Sequence, residues 1–193
     1  MAARSEVDLV ARAQAGDAQA LEELVRTHWD RVQRVLLRML GPRQDMEDLV
    51  QTTFLETLRA LPGFRRESSL STFVTGVAVH VARRAMRPPK VQRLAVSMER
   101  AAELGERSAG PDERASSAEA LRRVRGMLEE LSEPKRVAFL LWAFEGMAPD
   151  EIATIMDASV PATRSRIFYA QKELLAAAQQ DPYLREWLAE RMR

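Results

Sequence analysis

The chain has 193 residues, 46% of them hydrophobic, and a formal net charge of +1. That allows one domain or two small ones with buried cores, and it means a nucleic-acid role cannot rest on overall charge but only on local patches. There is no cysteine, which excludes disulfides, thiolate chemistry and cysteine-ligated zinc. All but Lys90, Lys135 and Lys172 of the 29 Lys and Arg residues are arginine. Clustered arginines favour planar, bidentate contacts, although a GC-rich genome would produce the same bias. No apolar run approaches a membrane span, and the N-terminus MAARSEVDLV has no signal-peptide pattern, so a cytoplasmic protein is expected.

In chain order, Ser5 is expected to open a short helix with Asp8 in a capping-box-like pair, and Gly16 to close it. Asp17 caps the next, whose stripe runs through Leu21, Leu24, Val25, Val32, Val35, Leu36, Met39 and Leu40 to a stop at Gly41-Pro42. Trp29 lies beside that stripe and is read as core. Asp45 starts a third helix, apolar at Met46, Leu49, Val50, Phe54, Leu58 and Leu61 and broken by Pro62-Gly63. Its first stretch carries Asp45, Glu47, Asp48 and Glu56 with no basic residue, an ordinary complement to a helix dipole. The sign then reverses, with Arg65, Arg66, Arg83, Arg84, Arg87 and Lys90 against Glu67. Ser71 is expected to cap a fourth helix, with Phe73, Val74, Val77, Ala78, Val81, Ala82 and Ala85 inward and Pro88-Pro89 at its end.

Residues 88–115 read as a flexible linker with a transient helix around Ser97 to Leu104. Ser117 is then expected to cap a helix bearing Leu121, Val124, Met127, Leu128 and Leu131. Ser132-Glu133-Pro134 opens another, with Val137, Phe139, Leu140, Leu141, Trp142 and Phe144, closed by Gly146. The stretch Asp150 to Lys172, DEIATIMDASVPATRSRIFYAQK, reads as a helix-turn-helix. Ile152, Ala153, Ile155 and Met156 stripe its first helix, Asp157-Ala158-Ser159 is the break, and Ser159 N-caps the second with Pro161 in the first turn. Val160, Thr163, Ile167, Ala170 and Leu174 face inward. Arg164, Ser165, Arg166, Phe168, Tyr169 and Lys172 lie opposite, a face suited to guanine edges and phosphates but equally to any solvated two-helix corner. Beyond Pro182 comes an amphipathic segment with Leu184, Trp187 and Leu188. No stretch alternates with period two for long enough to form a sheet. The expected fold is therefore all-α, with two small helical domains. An N-terminal bundle (1–87) is joined by the linker (88–115) to a helix-turn-helix domain (116–179), with an amphipathic tail (180–193).

Catalytic chemistry is missing. There is no glycine-rich phosphate loop, no Glu-x-x-His or His-x-x-x-His pair, and the two histidines, His28 and His80, are far apart. No enzyme activity, cofactor, metal or small-molecule substrate is expected.

Several motifs, taken in order, resemble the extracytoplasmic-function sigma factors, promoter-specificity subunits of bacterial RNA polymerase. They are DLVARAQAGDAQALEEL, DMEDLVQTTFLETLRALPGF, the Ser-Ser-Leu-Ser-Thr-Phe stretch, an irregular linker, LEELSEPKRVAFLLWAFEGMAPDEIATIM, and the SRI of the last helix. The resemblance spans about residues 6–178 and implies roles that spacing alone does not. Asp45, Asp48, Gln51, Thr52 and Leu55 would dock on core polymerase, and 45, 48, 52 and 55 recur at three and four along one ridge. The loop from Pro62 to Ser71 and the helix after it would open the promoter −10 region, with Phe64 as a stacking surface. Arg65, Arg66, Arg83, Arg84 and Arg87 would track phosphates. Ser159, Arg164, Ser165, Arg166, Phe168, Tyr169 and Lys172 would meet the −35 element. Relatives usually carry Trp at Phe73 and Asn at His80, so His80 is either a changed −10 contact or a satisfied helix histidine. They favour Gly-Thr where Pro161-Ala162 stands and often a basic residue at Tyr169. Core polymerase, promoter DNA and an anti-sigma factor are the implied partners. A dimeric helix-turn-helix regulator would not need the acidic helix, and a helical antagonist would not need Arg164 and Arg166 exposed.

Overall fold

The computed structural model describes residues 2–86 and 111–191, with side chains over 6–86, at 116 and over 118–186. All elements among the described residues are helical. They form two compact units, one holding α1–α4 and the other α5, α6, α8, α9 and most of α7. The expected linker helix, the Pro88-Pro89 stop and Arg87 lie outside the described residues, as do the side chains of Trp187 and Leu188.

The first unit consists of α1 (Ala2–Gln14), α2 (Ala18–Leu40), α3 (Met46–Ala60), a 3-10 turn (Leu61–Gly63) and α4 (Leu70–Met86). Helix α2 packs on α1, α3 and α4, and α3 packs on α4. The core is Leu24, Val32, Val35, Leu36, Val50, Phe54, Leu61, Leu70, Val74, Ala78, Val79, Val81 and Ala82. As expected, Asp17 caps α2: its carboxylate accepts from the amides of Gln19 at 2.9 Å and Ala20 at 3.2 Å. Arg12 Nε donates to the same carboxylate at 2.8 Å, and together these bonds hold Asp17 below the ordinary carboxylate range. Gly16 (φ 85°) and Gly41 (φ 71°) take positive φ where α1 and α2 end, which glycine adopts without a β-carbon clash.

Three starting points differ from the sequence reading. Helix α1 begins at Ala2, ahead of Ser5. Helix α4 is capped by Ser69, not Ser71: Ser69 Oγ accepts from the Thr72 amide at 3.0 Å, which lets Leu70 enter the core. Helix α5 (Pro111–Glu130) begins ahead of Ser117 and takes in the end of the stretch read as linker, with proline in its first turn.

In the second unit α8 (Val160–Gln180) packs on α5, α6 (Glu133–Glu145) and α9 (Pro182–Arg191). Its core is Ala120, Leu131, Val137, Ala138, Leu140, Leu141, Met147, Ile152, Ile167, Ala170 and Leu184. Helix α6 ends as expected at left-handed Gly146, with the Met147 amide reaching back to the Leu141 carbonyl at 3.2 Å. Helix α9, read as a tail, is part of this unit. Asp181 accepts from the Leu184 amide at 3.0 Å and from Arg123 at 2.9 Å, and Tyr183 donates to the Ser116 carbonyl at 2.9 Å. This docking turns α5 so that Ala120 is buried, while Leu121 and Val124, expected inside, are exposed.

Candidate nucleic-acid and protein interfaces

The helix-turn-helix is α7 (Pro149–Ile155), a turn, and α8. Asp157 takes φ 48° in that turn, which asparagine and aspartate tolerate better than most residues. Ser159 Oγ accepts from the Ala162 amide at 3.3 Å, so it is the expected N-cap. Thr163 and Ala170 are fully buried and Ile167 nearly so. At about 100° per residue, the direction opposite those three is held by Ser165, Phe168 and Lys172, flanked by Arg164 and Tyr169; all five are exposed. Phe168 is 60% exposed and meets Tyr169 edge-on at 5.4 Å, so it does not pack between helices. Arg166 departs from the reading: it lies on the flank and is half-buried.

In the first unit, α4 is buried on two sides, against α2 and α3. That confines its open surface to a narrow ridge, Phe73, Val77, His80 and Arg84, at spacings of four, three and four. Phe73 and Val77, expected inward, are half-buried on this ridge, and Val79 takes the inner place. The Phe64 ring stacks on Phe73 with centroids 4.6 Å apart. The structure therefore brings Phe64, Phe73 and His80 to one face, with Arg65 and Arg66 exposed on the adjoining loop. His80 is exposed on this ridge. Arg84 is paired with Glu56 of α3, and Arg83 is half-buried and carries an interaction of its own.

On α3 the side away from Val50, Phe54 and Thr57 presents Asp48, Gln51 and Leu55 exposed and Thr52 half-buried. Asp45 is the N-cap residue without a cap bond from its side chain. Its carboxylate accepts from Arg43 Nε and, at 2.7 Å, from Arg43 Nη2, and this bonding lowers its pKa. Its charge is thus already partly compensated. Beside the ridge runs an apolar groove lined by Val25, Trp29, Gln51, Phe54, Leu55 and Leu58. Trp29, read as core, is 36% exposed and lies flat on Phe54, with centroids 5.6 Å apart. The stripe arithmetic could not see this, because a large ring can cover a core residue from outside.

Among the described residues no helix is long and apolar enough to cross a membrane, and no three His, Asp or Glu side chains gather to hold a metal ion.

Comparison with known proteins matches residues 24–88 to Sigma-70 region 2 and residues 121–174 to Sigma-70 region 4. The RNA polymerase sigma-H factor of Pseudomonas aeruginosa is 31% identical over 191 residues, covering 92% of this chain and 95% of the relative. The ECF RNA polymerase sigma-E factor of Escherichia coli is 33% identical over 173 residues, 86% and 90% of the two chains. The solved structure of CnrH in complex with the cytosolic domain of CnrY shares the fold at a TM-score of 0.67 and 23% identity, over 91% of this chain and 98% of that one. The sigma factor RpoE in complex with the anti-sigma factor NepR from Bartonella quintana does so at 0.62 and 16%, over 83% and 97%. The chain belongs to the extracytoplasmic-function sigma factors of the sigma-70 family, and its function is that of a promoter-specificity subunit of RNA polymerase.

Proposed function

We propose that the chain, working in the cytoplasm without catalytic activity of its own, divides the sigma task among three surfaces. The α3 ridge of Asp48, Gln51, Thr52 and Leu55, with Asp45 at its head, docks on core polymerase. The Phe64–Phe73 pair, His80 and the loop arginines engage the opened −10 strand, where stacking tolerates any base and charge follows the backbone. Ser165, Phe168, Lys172 and Arg164 of α8 face the −35 major groove, with Ser159, Arg166 and Tyr169 at the edges.

The observation that carries this reading is the α4 ridge. Burial on two sides leaves one line of side chains, and those are the residues a melted strand needs: stacked rings, a ring donor and nearby guanidinium groups. The solved neighbours held by an anti-sigma factor or by CnrY support a protein antagonist for this chain as well.

The docking surface is tested by titrating core polymerase with Asp48→Arg, and with Gln51→Ala as the milder change. An exposed charge pair contributes under about 1 kcal/mol, and reversal replaces attraction by repulsion, so about 2 kcal/mol, or roughly 30-fold, is expected. Unchanged affinity on reversal rules this surface out.

A further inference from the structure

The loop that carries Phe64, Arg65 and Arg66 is held from outside, by α1. Gln14, the last residue of α1, donates from Nε2 to the Leu61 carbonyl at 3.0 Å and to the Phe64 carbonyl at 2.9 Å. These carbonyls flank the 3-10 turn, whose own bond runs from the Phe64 amide to Leu61 at 3.0 Å. At the other end of the loop, Glu6 accepts from the Leu70 amide at 2.8 Å. That amide sits in the first turn of α4 and has no partner within its helix, and a carboxylate there also meets the positive end of the helix dipole. One helix therefore grips both ends of segment 61–70. Between the grips Arg66 takes φ 62°, a conformation uncommon for a residue with a β-carbon. Helix α1 is itself fixed to the bundle by buried Val10 and Ala13 and by the Arg12–Asp17 pair across the Gly16 turn.

We propose that α1 is the positioning element of the promoter loop: Gln14 and Glu6 keep Phe64 on Phe73 and keep Arg65 and Arg66 turned to solvent. The proposal rests on the reading of this loop as the −10 contact. Neither side chain touches DNA in it. Both act by raising the fraction of chains whose loop is ready to bind, which sets the apparent affinity.

The probe is a fluorescent pool of single-stranded oligonucleotides with a randomised centre, titrated with holoenzyme made from core polymerase and the full chain. Gln14→Ala removes both loop bonds, and Gln14→Glu keeps the shape while losing the donor. Glu6→Ala removes the acceptor, and Glu6→Gln keeps it. The first three variants are expected to weaken oligonucleotide binding roughly 5- to 30-fold while core affinity stays at the wild-type level, and Glu6→Gln is expected to restore binding. Hydrogen exchange at the Leu70 amide reports the grip without polymerase: it should accelerate in Glu6→Ala and not in Glu6→Gln. Full oligonucleotide affinity in the Gln14 variants and in Glu6→Ala, with the Leu70 amide released, overturns the proposal. So does a parallel fall in core affinity, which would mark α1 as merely structural. Phe64→Ala and the double change Arg65→Ala, Arg66→Ala separate the two claims. If they weaken binding and the α1 variants do not, the positioning role fails and the −10 reading stands. If they have no effect, the −10 reading fails and the positioning role falls with it.

Discussion

Phe168→Ala tests whether the outer face of α8 reads bases. The ring is 60% exposed and touches Tyr169 only edge-on, so removing it should change the stability of the second unit by no more than about 0.5 kcal/mol. An aromatic side chain has roughly 150–250 Å² to bury, which leaves on the order of 100 Å² open here. Covering half of that area against a thymine methyl would contribute about 1 kcal/mol at ~25 cal/mol per Å², or roughly fivefold in affinity. The assay is run-off transcription with core polymerase on a −35 library in which single thymines are replaced by uracil. The wild-type chain should lose about fivefold at one thymine when its methyl is removed, and Phe168→Ala should be indifferent to that replacement. A uniform loss across the library, or a mutant that still senses the methyl, would rule out base contact by Phe168 and leave the ring as a phosphate-side or protein contact.

Other outcomes follow from the same geometry. Ser159→Ala should cost the second unit about 1 kcal/mol by removing the cap, whereas Ser159→Asp should keep the helix and weaken promoter binding by repelling phosphate; thermal melts beside run-off activity separate the two. Arg164→Ala should relax discrimination at a single −35 position by about 1–3 kcal/mol if it grips a guanine, while half-buried Arg166→Ala should lower activity evenly across the library. His28 is buried, and burial first, then Arg31, push its pKa below the usual imidazole value, with Glu6 opposing. The unfolded chain therefore takes up a proton near pH 6.5 that the folded chain resists, so stability falls as pH drops below about 6.5. In denaturant titrations between about pH 7 and about pH 5, His28→Gln should flatten that slope. The lowered carboxylates Asp17, Asp45 and Asp181 lose their contribution only at more acidic pH, below the ordinary Asp range.

Where local chemistry decides the structure, the sequence was readable. Asp17 and Ser159 cap the helices they precede, Gly41 and Gly146 end α2 and α6, and Thr163, Ile167 and Ala170 point inward. The misreadings come where a distant element decides. Ser69 beats Ser71 as a cap because it lets Leu70 reach the core. Val79 displaces Val77 because α4 is squeezed by two helices, and period counting assumes one buried side. The same limit hid Gln14 and Glu6, since no local pattern marks a side chain that bonds to a loop 47 to 64 residues away.

The measurement that bears most directly on the whole account is run-off transcription by core polymerase, with and without the chain, on a library of randomised promoters. Added chain is expected to start transcription only from templates sharing a −35 and a −10 sequence at fixed spacing, and Asp48→Arg to lower the yield from all of them together. Initiation no better than with core alone, from a chain that binds duplex DNA tightly by itself, would contradict it.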